Sequence, residues 1–305
     1  MIYTVTLNPS IDYLVNLENL DVGTINRVNN EQIFVGGKGI NVSLMLNKLD
    51  ISSTALGIIA GFTGVFVEQQ LEEKGIESHF VSVEQGFSRI NIKIKSEQET
   101  EINGSGPIVL PNHIDKLLWQ IKKLTSDDIL VISGSIPSSI NCNIYKSFIE
   151  KATEKGAKVV VDATKTILTD LLEYKPFLIK PNKHELEEIF DVEINSVKDV
   201  ICYAQKLREQ GAVNVLISLG AEGAILINEN NEILMSNVAK GEVKNSVGAG
   251  DSMVAGFIGE FAKSQNYEKA LIQGASCGCA TAFSADIATK QLIDEILPQI
   301  KVEKL

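Results

Sequence analysis

No Gly-Lys-Ser/Thr triplet occurs anywhere in the 305 residues, which excludes a P-loop. No apolar run approaches the length needed to cross a bilayer. Positive charge is in deficit: 28 Lys and Arg stand against 39 Asp and Glu, a net −11. Nonspecific nucleic-acid binding is therefore not expected, and an anionic ligand must be held by a few local cations and N–H groups. Histidine occurs three times and cysteine four times. Cys142, Cys202, Cys277 and Cys279 outline no disulfide framework. The last two, one residue apart with no histidine near, lack zinc-site spacing. All four are expected to be buried, reduced thiols, and His184 a surface residue rather than a catalyst. The chain opens on a strand pattern, Ile2 to Leu7, in place of the basic segment and apolar core of a signal peptide. The expected setting is the cytoplasm, with no membrane partner. No internal repeat, linker or low-complexity segment is evident.

What is present is an ordinary globular composition, 44% hydrophobic and 22% charged, long enough for a large core in one or two domains. Apolar strands separated by helices imply a parallel sheet covered on both faces. Residues 13 to 35 look irregular. Ser88 to Lys95 alternates Ile90, Ile92 and Ile94 with Arg89, Asn91, Lys93 and Lys95, a half-exposed strand, and Glu99 to Asn103 reads as its return partner. Such a small exposed sheet suggests a flap over a site. Two apolar helices are expected to complete the chain.

The densest chemistry lies in Val247-Gly248-Ala249-Gly250-Asp251-Ser252, near the start of an apolar helix pattern. Two glycines permit a tight turn with uncovered amide N–H groups. The helix adds its positive end, and the two together suit phosphate. Asp251 is a poor phosphate ligand, but it is suited to take a proton from a hydroxyl that attacks phosphorus. A third glycine is missing, so a dinucleotide fingerprint does not fit. Alone, the stretch fits a Gly-rich turn capped by Asp equally well. Asp12 follows the first strand at the sheet end where ligands bind in open α/β sheets, and is equally an ordinary turn residue.

Gly36-Gly37-Lys38-Gly39-Ile40-Asn41 places three glycines, a cation and an amide just before a helix running to about Leu49. Close approach to a ligand, with a cation and a partner for sugar hydroxyls, explains this better than a solvated turn. Arg89 and Asn91 share one face of the flap strand, where Arg89 suits a phosphate or simply a solvated surface. The turn Ser133 to Pro137 is another candidate edge. Lys180-Pro181-Asn182-Lys183-His184-Glu185 starts a helix. There the Asn182–Glu185 spacing favours an N-cap with its reciprocal Glu over the organisation of a hydrated Mg²⁺. The Ser218, Gly220 and Gly223 turn can face a nucleotide.

In order and spacing these motifs resemble the ribokinase-like carbohydrate kinases of the phosphofructokinase B family. The residues that carry this are Thr6-Leu7-Asn8-Pro9 with Asp12, Gly36 to Asn41, Arg89-Ile90-Asn91, Ser133 to Pro137, Lys180-Pro181-Asn182 with Glu185, Ser218-Leu219-Gly220 and Gly248 to Asp251. The resemblance covers nearly the whole chain. It is nearest to the bacterial 1-phosphofructokinase branch, on Gly36 to Val42, Ser88 to Lys93 and Val247 to Met253. Tagatose-6-phosphate kinases share most of these residues and usually differ around Arg89-Ile90-Asn91.

The resemblance implies an α/β fold, a ribokinase-like three-layer α/β/α sandwich with a mostly parallel central sheet. It implies a single domain over 1–305, with a small β-sheet lid formed from about 13–36 and 86–105. The implied activity is ATP-dependent phosphorylation of D-fructose 1-phosphate to fructose 1,6-bisphosphate. Tagatose 6-phosphate and fructose 6-phosphate are alternative acceptors, and a noncatalytic phosphosugar sensor is a reading of another class. By matching positions, Asp251 would be the general base and Gly248, Ala249 and Gly250 the anion hole. Asp12, Gly36, Gly37, Lys38, Asn41, Arg89, Asn91 and Ser135 would hold the phosphosugar, with Arg27 as a looser match. Lys180, Asn182, Ser218, Gly220, Gly223, Gly248 and Gly250 would lie along ATP. Asn182 and Glu185 would hold Mg²⁺ through water. Asn245 and Ser246 depart from the Asp or Thr of many relatives. Two copies are expected to clasp through their lids as a homodimer.

Overall fold

Short strands that are apolar on both faces need cover on both sides. In the computed structural model, which describes residues 1–163 and 165–305, two layers of helices supply it. The chain runs β1 (Ile2–Thr6), β2 (Ser10–Asn16), β3 (Asn30–Gly36), α1 (Lys38–Lys48), β4 (Ser53–Ala60), α2 (Gly61–Glu73), β5 (Glu77–Val83), β6 (Arg89–Lys95) and β7 (Thr100–Asn103). Next come α3 (Pro111–Ile121), β8 (Ile129–Ser133), α4 (Ile144–Thr153), β9 (Lys158–Asp162), α5 (Lys165–Leu171), β10 (Leu178–Ile179), α6 (Lys183–Phe190), α7 (Val197–Glu209) and β11 (Asn214–Ser218). The hairpin β12 (Ala224–Ile227) and β13 (Ile233–Ser236) precedes α8 (Ala249–Ser264), α9 (Tyr267–Ala282), α10 (Lys290–Ile296) and β14 (Val302–Lys304).

The large sheet has the order β14-β13-β12-β11-β10-β9-β8-β1-β4-β5. From β11 to β5 the pairs are parallel, and from β11 to β14 they are antiparallel. Period-two alternation divides its side chains between two cores. Leu130, Ile132, Val159, Val161, Val215 and Ile217 pack under α3, α4, α6 and α7. Ile129, Val131, Val160 and Leu216 pack with α1, α8, α9 and α10. Strand order reverses direction at β1, and a crevice opens at the carboxyl ends of strands beside such a switch point. Asp162 and Ser218 are the last residues of their strands.

The second sheet, β3-β2-β6-β7, stands apart from the first. Its register pairs Ser10 with Arg89, Asp12 with Asn91 and Leu14 with Lys93. One face is therefore largely polar and charged, with Leu14 and Phe34 at its margin. The other carries Ile11, Tyr13, Ile90 and Ile92, with Ile33 and Ile102 more than half exposed at its edges. Among the described residues no helix is long and apolar enough to cross a membrane.

The structure corrects three expectations. Residues 13 to 35 are not irregular: most of β2 and β3 lies there, around a loop, and the small sheet starts at Ser10. The polar start of β3, Asn30-Glu31-Gln32, belongs to an edge strand open to solvent and so has no apolar signature. Two helices do not complete the chain, because the short α10 and the three-residue edge strand β14 follow them. Helix α5 passes at Leu171 into a 3₁₀ turn, stopped by Lys175 in the left-handed region (φ 51°) and Pro176. The cysteines are not all buried: Cys142 lies exposed in a turn and Cys202 on the solvent side of α7. Cys277 is buried, and burial pushes its thiol up to about 12.

Candidate active site

A cleft of about 780 Å³ runs between the polar face of the small sheet and the carboxyl ends of the large one. At its centre is the start of α8. Gly248 takes φ 78°, a left-handed conformation that favours glycine, and no side chain caps the helix. Ala249 N donates to the Ser246 carbonyl at 3.3 Å, and no side chain takes the other first-turn N–H groups, which leaves the turn able to receive an anion. A Cβ on Gly250 would lie 3.1 Å from Lys180 Nζ, so a lysine ammonium abuts this turn. Asp251 is buried on the same turn, with Oδ2 accepting from Asn41 Nδ2 at 2.8 Å. Burial first, and the like charge of Asp162 second, push its carboxyl up to about 6 against the pull of Lys38, Asn41 and Lys180.

The acceptor end is built from α1 and the small sheet. Gly37 (φ 125°) begins α1, again without a side-chain cap, and Lys38 and Asn41 follow on the first turn. Asp12 Oδ1 accepts from Ser10 Oγ at 2.7 Å and from Asn91 Nδ2 at 2.9 Å, and its Oδ2 meets Lys93 Nζ at 3.0 Å. Gly36 does not line the cleft but makes room for this carboxylate: a Cβ there would fall 2.6 Å from Asp12 Oδ1. The buried Asn91 Oδ1 has no partner among the described residues. Arg89 donates from Nε to the Asn8 carbonyl at 3.0 Å, and burial lowers its guanidinium from the usual range while Asp12 opposes that. Ser135 lines a neighbouring cleft of about 530 Å³ that shares Gly37, Lys38, Arg89 and Asp162 with the first. Arg27 lies exposed in the β2–β3 loop and lines neither.

At the other end, Asn182 forms a parallel bridge with Ser218, and Gly220 and Gly223 line the same wall. Asn182 and Glu185 make the expected capping box: Asn182 Oδ1 accepts from Glu185 N, and Glu185 Oε2 from Asn182 N, both at 2.8 Å. His184 is exposed, as expected. Among the described residues no cluster of three or more His, Cys, Asp or Glu is placed to hold a metal directly.

Several lining residues escaped the sequence reading. Val243, Ala275, Cys279 and Phe283 add apolar lining to the cleft; they come from separate segments and share no local motif. Lys93 does not line the cleft but meets Asp12 through the β2–β6 register, which sequence spacing does not reveal. Asp162, deep in the cleft, ends an apolar strand whose residues read simply as core.

The sequence profile of the pfkB family of carbohydrate kinases matches residues 5–291. A 1-phosphofructokinase of Bacillus subtilis is 44% identical over 305 residues, with 100% of each chain covered. A D-tagatose-1-phosphate kinase of Bacillus licheniformis is 37% identical over 306 residues, again with 100% of each covered. Among solved structures, phosphofructokinase-2 from Escherichia coli in complex with fructose-6-phosphate matches with a TM-score of 0.90 at 26% identity, covering 98% of both chains. The large, mostly parallel sheet between helical layers, with its separate small sheet, is the ribokinase-like fold that the resemblance implied, and the chain belongs to the pfkB family of carbohydrate kinases.

Proposed function

We propose that the chain transfers the γ-phosphoryl group of ATP to D-fructose 1-phosphate, giving fructose 1,6-bisphosphate and ADP. One observation carries the chemistry: a buried carboxylate, Asp251, held by Asn41 on the first turn of an uncapped helix, between a cationic half-cleft and a glycine-lined one. The preference for a 1-phosphate is supported by the full-length relatives acting on 1-phosphorylated ketohexoses.

Lys38, Arg89 and Ser135 take the acceptor's own phosphate by charge-assisted contacts. Asp12, Asn41 and Asn91 orient its hydroxyls, Gly37 allows their close approach, and Gly36 leaves room for the Asp12 carboxylate. The accepting hydroxyl oxygen attacks the γ-phosphorus, its proton passes to Asp251, and the bond to the β–γ bridging oxygen breaks with ADP as leaving group. The N–H groups of Gly248, Ala249 and Gly250 receive the charge of the transferred group. Lys180, Ser218, Gly220 and Gly223 lie along the nucleotide. The capping box leaves Glu185 Oε1 without a role in the cap, which fits a Mg²⁺ ion held through water by Asn182 and Glu185 rather than by direct coordination. Such an ion would supply charge neutralisation to the phosphates.

In this reading residues 1–305 act as one unit in the cytoplasm, with the small sheet as a lid that excludes water. Two copies clasp through the apolar faces of their lids. The exposure of Ile33, Ile102 and the loop residues Val22 and Ile25 supports that contact.

The test is a coupled ADP-release assay with Mg²⁺ and fructose 1-phosphate, tagatose 1-phosphate, fructose 6-phosphate and tagatose 6-phosphate in parallel. A kcat/KM preference of about a hundredfold for fructose 1-phosphate is expected, equivalent to about 2.7 kcal/mol of discrimination. Preference for a 6-phosphate refutes the acceptor assignment. Tight phosphosugar binding without turnover replaces the kinase with a sensor.

A further inference from the structure

The transfer just described leaves one buried charge without a task. Asp162, at the end of β9, is 3% exposed, and its two oxygens go to two lysines from different elements. Oδ2 meets Lys38 Nζ at 3.1 Å, from the start of α1. Oδ1 meets Lys180 Nζ at 3.7 Å, from the residue just beyond β10. Lys180 is itself buried and abuts Gly250, whereas Lys38 is 39% exposed and lines both clefts with Arg89. The carboxylate thus stands between a cation on the acceptor side and a cation on the nucleotide side. The other charged groups around it are Asp251 from α8 and, beyond Lys38, Glu185 from α6.

A lysine is a compact charge on a flexible stem, so an anchor is needed to present it at a fixed point. We propose that Asp162 is the positioning residue that sets both lysines at once, Lys180 against the anion hole of Gly248 to Gly250 and Lys38 against the acceptor's own phosphate. This rests on the kinase reading above. With one oxygen directed to each ammonium, Asp162 acts through the lysines. The two arms differ in what they stabilise. Charge beside the anion hole matters most in the transition state and is read in kcat. Charge beside the acceptor phosphate is present throughout binding and is read in KM.

The experiment is a pair of double-mutant cycles by steady-state kinetics with fructose 1-phosphate. Asp162→Asn alone is expected to lower kcat about a hundredfold and to raise the phosphosugar KM about tenfold. In a Lys180→Met background the same change should alter kcat by less than about threefold, and in a Lys38→Met background it should alter KM by less than about threefold. In the Lys180→Met background no buried ammonium is left unpaired, so the comparison holds even where Asp162→Asn alone folds poorly. An undiminished loss of kcat in the Lys180→Met background overturns the proposal. So does a variant whose chief defect is a raised Mg²⁺ requirement. Absence of ADP release from the unaltered protein removes the kinase reading instead, and is distinguished by that control.

Discussion

Replacing Asp251 by Asn should produce an enzyme that is nearly dead and more stable. The carboxyl titrates at about 6 in the folded chain against an ordinary 3.8, chiefly because it is buried and secondly because Asp162 lies near. The fold therefore favours its neutral form. That benefit is complete below about pH 3.8 and is lost as pH rises through about 6, above which the ionised group is the costly one. A shift of this size corresponds to about 3 kcal/mol at pH 7.5 and about half that at pH 5. Asn keeps an oxygen for the Asn41 amide and carries no charge, so it removes the cost. Urea unfolding should show a gain of about 3 kcal/mol at pH 7.5, shrinking at pH 5, and thermal unfolding a rise of about 5 °C at the higher pH. Turnover should fall by a factor of about 10² to 10⁴ with the phosphosugar Kd little changed. An equal gain at both pH values, or none, refutes the account of the buried carboxylate. Near-normal turnover refutes its role as base.

Other outcomes follow from the same geometry. With Asp251 as the proposed base, kcat/KM of the unaltered protein should fall about tenfold between pH 7 and pH 5 as that carboxylate is protonated; a flat profile over that range contradicts the assignment. Lys38→Ala and Arg89→Ala should each raise the phosphosugar KM more than they lower kcat, and unchanged KM in both removes them from the acceptor site. Gly57→Ala should cost several kcal/mol in urea unfolding, since its φ of 150° is unusual for other residues and a Cβ there would overlap the Thr6 carbonyl oxygen; a stable variant would show that β1 and β4 can separate. Light scattering at micromolar concentration should give a dimer, and Ile33→Glu should shift it toward monomer if the lids clasp.

The sequence was most legible where chemistry needs residues close in the chain. Gly248 to Asp251, Lys38 with Asn41, and the Asn182–Glu185 cap each sit within one or two helical turns, so spacing marked them as candidates, and the order of the motifs along the chain decided between their readings. The large sheet was legible for a related reason: strands such as Val159 to Val161, buried on both sides, read as continuous apolar runs. What escaped depends on pairing across long stretches of chain. Lys93 meets Asp12 only because β2 and β6 run parallel in one register, and Asp162 meets Lys38 across 124 residues. The edge strands β3 and β14 were missed because solvent on their open side permits polar residues where a central strand would not.

The most direct test of the central claim is the identity of the product. After incubation with ATP, Mg²⁺ and fructose 1-phosphate, phosphorus NMR should show ADP and a ketohexose carrying phosphomonoesters at C1 and C6. ADP with inorganic phosphate in place of the second ester, or no change in the sugar phosphate signal, would contradict it.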